Sequence, residues 1–243
     1  KLINRALPTL EKRMQALEIE LKNCPLDMIN LQFNPFGGKI DPRITISAIR
    51  AVICKISSPY VELTVSPPRR YFLPGYRPTI RRDLQQLIDI GGFDYVGLQG
   101  DECLQTDFDL IKYYLDLAKD AGYQARFHIG ERYDTHNRCL DELSYYVNHP
   151  SAQFIGHGTI LYRPGNNQEE QTKIEKIVSA IKERELILEV CPTSNKQLLG
   201  MNQNDFRKII ELGIPYLIAT DDPGVFSTTL KEEQEYWANN VMS

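Results

Sequence analysis

Two kinds of hydrophobic spacing alternate along most of this chain, one with the period of a helix and one forming short continuous runs. Pro8-Thr9-Leu10-Glu11 opens a helical pattern with Leu10, Met14, Leu17 and Leu21 on one face, and Pro25 stops it. Leu26 to Gly38 contains Pro and Gly residues and reads mostly as loop, and Ile44 to Ile56 reads as a second helix. From Tyr60 onward the rhythm is regular. Apolar runs at Tyr60–Val65, Tyr95–Leu98, Gln124–His128, Phe154–Ile155, Ile187–Val190 and Tyr216–Ala219 predict strands. Amphipathic stretches at about Pro78–Ile90, Asp107–Ala121, Thr135–Val147, Glu169–Glu185 and Asn204–Leu212 predict the helices between them.

Strands that are apolar throughout are those buried on both faces, as in a parallel sheet covered by crossover helices. The order strand, helix, strand therefore predicts an α/β fold. Six such strands allow either an open doubly wound sheet or most of an eight-stranded barrel, and periodicity does not separate the two. No internal repeat, low-complexity tract or long linker divides the chain.

Composition narrows the class. A 243-residue chain with 42% hydrophobic and 25% charged residues can bury a substantial core, which excludes a disordered or collagen-like protein. A net charge of −4 argues against a nucleic-acid-coating domain. No stretch approaches the roughly 18 apolar residues of a membrane span, and no signal peptide is visible. Cys24, Cys54, Cys103, Cys139 and Cys191 show neither a CxxC pair nor a disulfide framework, so reduced thiols in a cytoplasmic setting are expected. The chain begins at Lys1 and stops at Ser243 after the charged Lys231–Glu235 segment, and both ends read as cut from something longer.

The reactive side chains cluster after the predicted strands. His128 ends one strand with Glu131 three residues on, and His157 follows Phe154-Ile155-Gly156. Thr193, Ser194 and Asn195 follow Val190, and Asp221 and Asp222 follow Tyr216–Ala219. In a parallel barrel these ends share one face, where active sites are built. Imidazole and carboxylate suit His128 and Asp221 to a divalent metal. Glu131 can donate a proton if desolvated, and His157 can orient or deprotonate a water. Singly, each fits a structural role: a strand-end histidine is commonly a hydrogen-bonder, and Asp221-Asp222-Pro223-Gly224 is also a turn signal. Cys191 reads as a packed, inert thiol, His136 lies inside a predicted helix, and His149-Pro150 reads as a surface helix terminus. The Ser66–Arg82 loop gathers Arg69, Arg70 and Arg77, either as a solvated basic surface or as a phosphate grip.

Together the motifs are far more specific than their parts. Phe127-His128-Ile129-Gly130-Glu131 resembles the His-Ala-Gly-Glu motif of the adenosine deaminase family, with Ile129 in place of Ala. Ile155-Gly156-His157-Gly158, Glu189-Val190-Cys191-Pro192-Thr193-Ser194-Asn195 and Thr220-Asp221-Asp222-Pro223 resemble three further family segments. Gly100-Asp101-Glu102 and Tyr60-Val61-Glu62-Leu63 with Ser66-Pro67 resemble two earlier ones, and all occur in the family's order.

The resemblance implies a (β/α)8 TIM-type barrel, incomplete at both ends, with residues 1–243 forming one barrel domain of a longer chain. It implies hydrolytic deamination of an adenosine-type purine with Zn2+ or another divalent metal. His128 and Asp221 would be metal ligands, Glu131 the proton donor to the purine ring, and His157 the residue that steers the water. Asp222 would hydrogen-bond the far side of the purine, and the Gly100 backbone would contact the base. The His-x-His pair of the family's first strand is absent, and Gly97 stands where an Asp often precedes Gly-Asp-Glu. Either that strand lies upstream of Lys1 or the protein is a metal-free homologue. Two other readings stay open: a deaminase of adenine nucleotides such as ATP within a multidomain antiviral (including CRISPR-associated) effector, and a catalytically silent nucleotide-binding domain. Homo-oligomerisation or an attached regulatory domain fits the effector reading.

Overall fold

The computed structural model describes residues 9–37, 40–131, 136–162 and 167–242, with the side chains of residues 136 and 137 left aside. Pro8, Gly38 and Thr135, expected at element boundaries, and the terminal Lys1 and Ser243 lie outside the described residues. The elements run α1 (Leu10–Lys22), β1 (Met28–Phe33), α2 (Pro42–Ile53), β2 (Tyr60–Val65), α3 (Ile80–Ile90), β3 (Tyr95–Leu98), α4 (Phe108–Asp120) and β4 (Gln124–Ile129). They continue as α5 (His136–Asn148), β5 (Ala152–His157), α6 (Gln168–Glu183), β6 (Ile187–Val190), α7 (Pro192–Leu199), α8 (Gln203–Leu212), β7 (Tyr216–Ile218), α9 (Pro223–Phe226) and α10 (Leu230–Asn240).

Among the described residues seven parallel strands pair in chain order, β1 through β7, in a curled sheet with helices alternating between them. This is an incomplete (β/α) barrel, as expected, with β1 and β7 as its two edges. Leu63, Val65, Val96, Leu98, Phe127, Ile155, Leu188 and Val190 pack under the helices with almost no exposed surface. Local chemistry sets the helix starts. Thr9, Asp107 and Asn167 each accept a backbone N–H of the helix they precede, and Asn202 and Thr229 close reciprocal capping boxes.

Three expectations are corrected. Leu26–Gly38 is not simply loop, because Met28–Phe33 within it forms β1 and pairs with all six residues of β2. Its polar residues concealed it: Thr64 donates to Asn30 at 3.0 Å and Ser66 to Gln32 at 3.2 Å. Residues 192–199 and 230–240 are further helices beyond those read from periodicity. His149 does follow a helix terminus, but it is buried rather than superficial, with Nε2 3.3 Å from Asp116 and Nδ1 accepting the Ser151 N–H. No helix among the described residues is long and apolar enough to cross a membrane.

The inner face of the sheet is polar and paired. Arg126 on β4 donates to Glu62 on β2 at 3.4 Å and to both oxygens of Glu189 on β6, and Tyr95 on β3 donates to Glu62 at 3.1 Å. Gly97 leaves room for this layer, since a Cβ there would lie 1.9 Å from Ser66 Oγ and 2.8 Å from Thr64 Cγ2. Those neighbours are buried and hydrogen-bonded, so they cannot withdraw freely. Gly97→Ala is expected to destabilise the fold by about 1–3 kcal/mol through overpacking, measured as a lowered urea midpoint at unchanged slope.

Candidate active site

The candidate residues arrive at one rim by different routes. His128 is the penultimate residue of β4, two positions from inward-facing Arg126, so the strand period turns it to the same face. Its register partner on β5 is Gly156, and a Cβ there would meet the His128 ring at 3.0 Å. The missing side chain lets the imidazole lie against the neighbouring strand. His157 ends β5 and Asp221 follows β7, and both adopt left-handed backbone, with φ of 66° and 58°. A non-glycine residue in that region costs about 1–3 kcal/mol and is retained where surroundings over-determine it.

Those surroundings come largely from α7. Asn195 Oδ1 accepts from His157 Nδ1 at 3.0 Å, while Asn195 Nδ2 donates to Tyr162, whose hydroxyl donates to the His157 carbonyl. The Nδ1 donor role fixes the tautomer and leaves Nε2 facing Asp221 Oδ2 at 4.0 Å. Ser194 donates to the same Asp221 oxygen at 2.7 Å. Glu233 on α10 accepts the Thr193 N–H at 3.0 Å and so anchors the first turn of α7 from behind.

The two imidazoles meet edge to face, 5.1 Å between centroids, in opposite electrostatic settings. Burial, followed by the charges of His157, Arg69 and Arg126, lowers the His128 pKa to about 3. Burial also acts against His157, but the carboxylates of Glu131 and Asp221 and the Asn195 acceptor outweigh it, and its pKa lies above the ordinary value. His128 is therefore a neutral donor at pH 7, and His157 is the imidazole that holds a proton more readily. Asp222, at the start of α9, has its carboxyl raised by desolvation and then by neighbouring Asp221. Cys191 is buried, with its thiol raised by burial and nearby carboxylates, which makes it the inert group expected.

The structure thus brings together His128, His157 and Asp221, with Glu131 close enough to act electrostatically on His157. Gly100 lies at the β3 exit with φ of +98°, and no described contact joins it to the histidines. His128 and Asp221 have the donor chemistry of a divalent-metal site. Among the described residues, however, no group of three or more His, Cys, Asp or Glu surrounds one point. Two ligands are fewer than the three protein ligands usual in catalytic zinc sites.

The arginine loop is not a uniformly solvated patch. Arg69 is fully buried and donates to Glu142 at 2.6 Å, to Glu102 at 3.3 Å and to the His128 carbonyl at 3.2 Å. Arg77 pairs with Asp83 at 2.7 Å and lies over Phe36 and Tyr71, while Arg70 is exposed beside Tyr71. Glu102 in turn accepts the backbone N–H groups of Gly130 at 2.8 Å and Glu131 at 2.7 Å. Composition around Arg69 signalled charge, and only the three-dimensional pairing gives its place. The Gly-Asp-Glu motif did mark Glu102, though not what it holds.

Comparison with known proteins agrees with the motifs. Residues 80–242 match the sequence profile of the family described as adenosine deaminase. An adenosine deaminase of Plasmodium knowlesi is 28% identical over 155 residues, covering 63% of this chain and 38% of that protein. One from Clostridium botulinum is 34% identical over 124 residues, covering 50% and 32%. The chain thus matches well under half the length of these relatives. The Arabidopsis thaliana N6-methyl-AMP deaminase superposes with a TM-score of 0.74 at 18% identity, covering all of this chain and 71% of that one. Arabidopsis ADAL complexed with IMP superposes with a TM-score of 0.76 at 17% identity over the same shares. At these identities the structural likeness concerns the fold.

Removing one member of a buried charge network leaves its partners uncompensated. Arg69→Met is expected to cost about 3–5 kcal/mol, whereas exposed Arg70→Met should stay within about 0.5 kcal/mol of the parent. Chemical denaturation of the two variants side by side measures the contrast.

Proposed function

The chain belongs to the adenosine deaminase family, and from that premise we propose that it takes part in hydrolysing the amino group from an adenine-type purine. Water adds its oxygen to the amino-bearing ring carbon, ammonia leaves, and an inosine-type product results. The observation that carries the reading is the shared rim, where His128, His157 and Asp221 meet and Ser194 and Asn195 fix the last two.

His128 and Asp221 would contribute ligands to a divalent metal, Zn2+ or another ion accepting imidazole and carboxylate. When bound, such an ion supplies the Lewis acidity that makes water nucleophilic near neutral pH. The chain's own groups do the rest. His157, with Nδ1 committed to Asn195, presents Nε2 to take a proton from the attacking water, and its raised pKa favours keeping it. Glu131 delivers a proton to the ring nitrogen beside the reacting carbon. Asp222, whose carboxyl holds its proton to higher pH than usual, hydrogen-bonds the far edge of the purine. The Gly100 backbone at the β3 exit contacts the base. Arg69 is buried and Arg77 is paired, which leaves Arg70 as the exposed member of that cluster, and the purine carries most of the recognition in this reading.

The test assays the full-length, metal-loaded protein against adenosine, AMP and ATP by loss of adenine absorbance. Conversion of at least one is expected, and an occupied metal site with none converted would overturn the reading. Glu131→Gln should retain its metal and lose about 10²–10⁴-fold in turnover, so full turnover would remove Glu131 as proton donor.

A further inference from the structure

Glu131 is placed unusually firmly for a residue one step past a strand's glycine exit. Both ends of its peptide are held by side chains from other connections: Glu102 Oε2 accepts its N–H at 2.7 Å, and Thr159 Oγ1 donates to its carbonyl at 2.7 Å. The other Glu102 oxygen accepts the Gly130 N–H at 2.8 Å, so one carboxylate grips two successive amides. Among the described residues no hydrogen bond holds the Glu131 carboxylate itself. Its aim is set through its backbone.

A carboxylate buried to 2% exposure needs charge compensation, and Arg69, at 0%, provides it. The same guanidinium donates to the His128 carbonyl and to Glu142. Glu142 is fixed independently by Arg138, at 3.0 and 3.2 Å, and by Thr106 at 3.4 Å. The network therefore ties the exits of β2, β3 and β4 to α5. Its contacts at β4 fall on the segment that carries both His128 and Glu131.

We propose that Glu102 and Arg69 are positioning residues for the deamination, together fixing the Glu131 carboxyl relative to His128. The inference rests on the reading of Glu131 as proton donor. A displacement of about 1 Å in a reacting group can cost about 10²-fold in rate. Glutamine at position 102 keeps one acceptor and turns a donor toward the second amide, which forces such a displacement.

The experiment compares Glu102→Gln, the double variant Arg69→Met/Glu102→Gln and Glu131→Gln in the full-length, metal-loaded protein. The probe is whichever of adenosine, AMP or ATP the parent converts. For Glu102→Gln, kcat should fall about 100-fold with KM within about threefold of the parent, while cooperative unfolding and metal content persist. Hydrogen exchange at the Gly130 and Glu131 amides should accelerate, a local signature that general loosening would not confine to those two positions. If Glu102→Gln fails to fold, the double variant, which also removes the Arg69 charge that loses its Glu102 partner and leaves Glu142 paired with Arg138, is read by the same criteria. A kcat within about threefold of the parent, or a loss confined to KM, overturns the positioning role while an inactive Glu131→Gln leaves the proton-donor reading intact. An active Glu131→Gln overturns both.

Discussion

A guanidinium enclosed by carboxylates on the concave face of the sheet is the constraint on which the rest depends. Arg126 bridges Glu62 and Glu189 across five strands, and Tyr95 and Asn30 complete the shell of Glu62. Such a group is poorly explained as a source of stability, because desolvating three charges offsets much of their attraction. What it does impose is geometry. Any strand register that separates Arg126 from either carboxylate leaves a buried charge uncompensated, so the curl and the register of β2, β4 and β6 are selected together. Arg69 repeats the arrangement one layer higher with Glu102 and Glu142, and there the paired charges reach the segment that bears the candidate chemistry.

This polar interior also decides what could be read from sequence. Strands β2 to β7 were legible because their outward-facing residues, such as Leu63, Val96, Phe127 and Leu188, are strongly apolar and close-spaced, even where inward residues such as Glu62, Arg126 and Glu189 interrupt them. β1 was illegible for the complementary reason. Asn30 and Gln32 belong to the interior but have the composition of a loop, and only their partners Thr64 and Ser66 on the next strand reveal them. The arginines of the Ser66–Arg82 loop misled in the same way. Charge in a sequence is ordinarily a mark of solvent, and the carboxylates that internalise Arg69 lie 33 and 73 residues away. The rim itself was legible because it follows from topology: residues just after parallel strands share one end of the barrel.

The two histidines illustrate a finer limit. Both follow the same sequence logic, and a reading of residue types gives each the same range of roles. The structure separates them by neighbours from distant segments. His128 faces cations and a second imidazole and stays neutral, whereas His157 faces Glu131, Asp221 and Asn195 and binds a proton more readily. Pushing the pKa values of adjacent titratable groups apart is how one site comes to hold both a donor of electron pairs and an acceptor of protons. Here the separation arises from groups on or just after β2, β4, β7 and α7, none of which carries it alone.

Curvature connects these observations. On a flat sheet β5 and β7 would lie about 10 Å apart, two strand spacings, yet His157 Nε2 and Asp221 Oδ2 approach to 4.0 Å. Side-chain reach closes part of that distance, the left-handed turn at each residue redirects it, and the curl of the sheet brings the two strand ends toward each other. The curl is fixed in turn by the inward charge pairs, whose geometry tolerates little change. A substitution deep in the concave layer would thus act on the rim without touching it, by altering the angle at which β4, β5 and β7 present their last residues. The site is better regarded as the upper layer of a paired polar interior than as a group of reactive side chains set on an apolar scaffold.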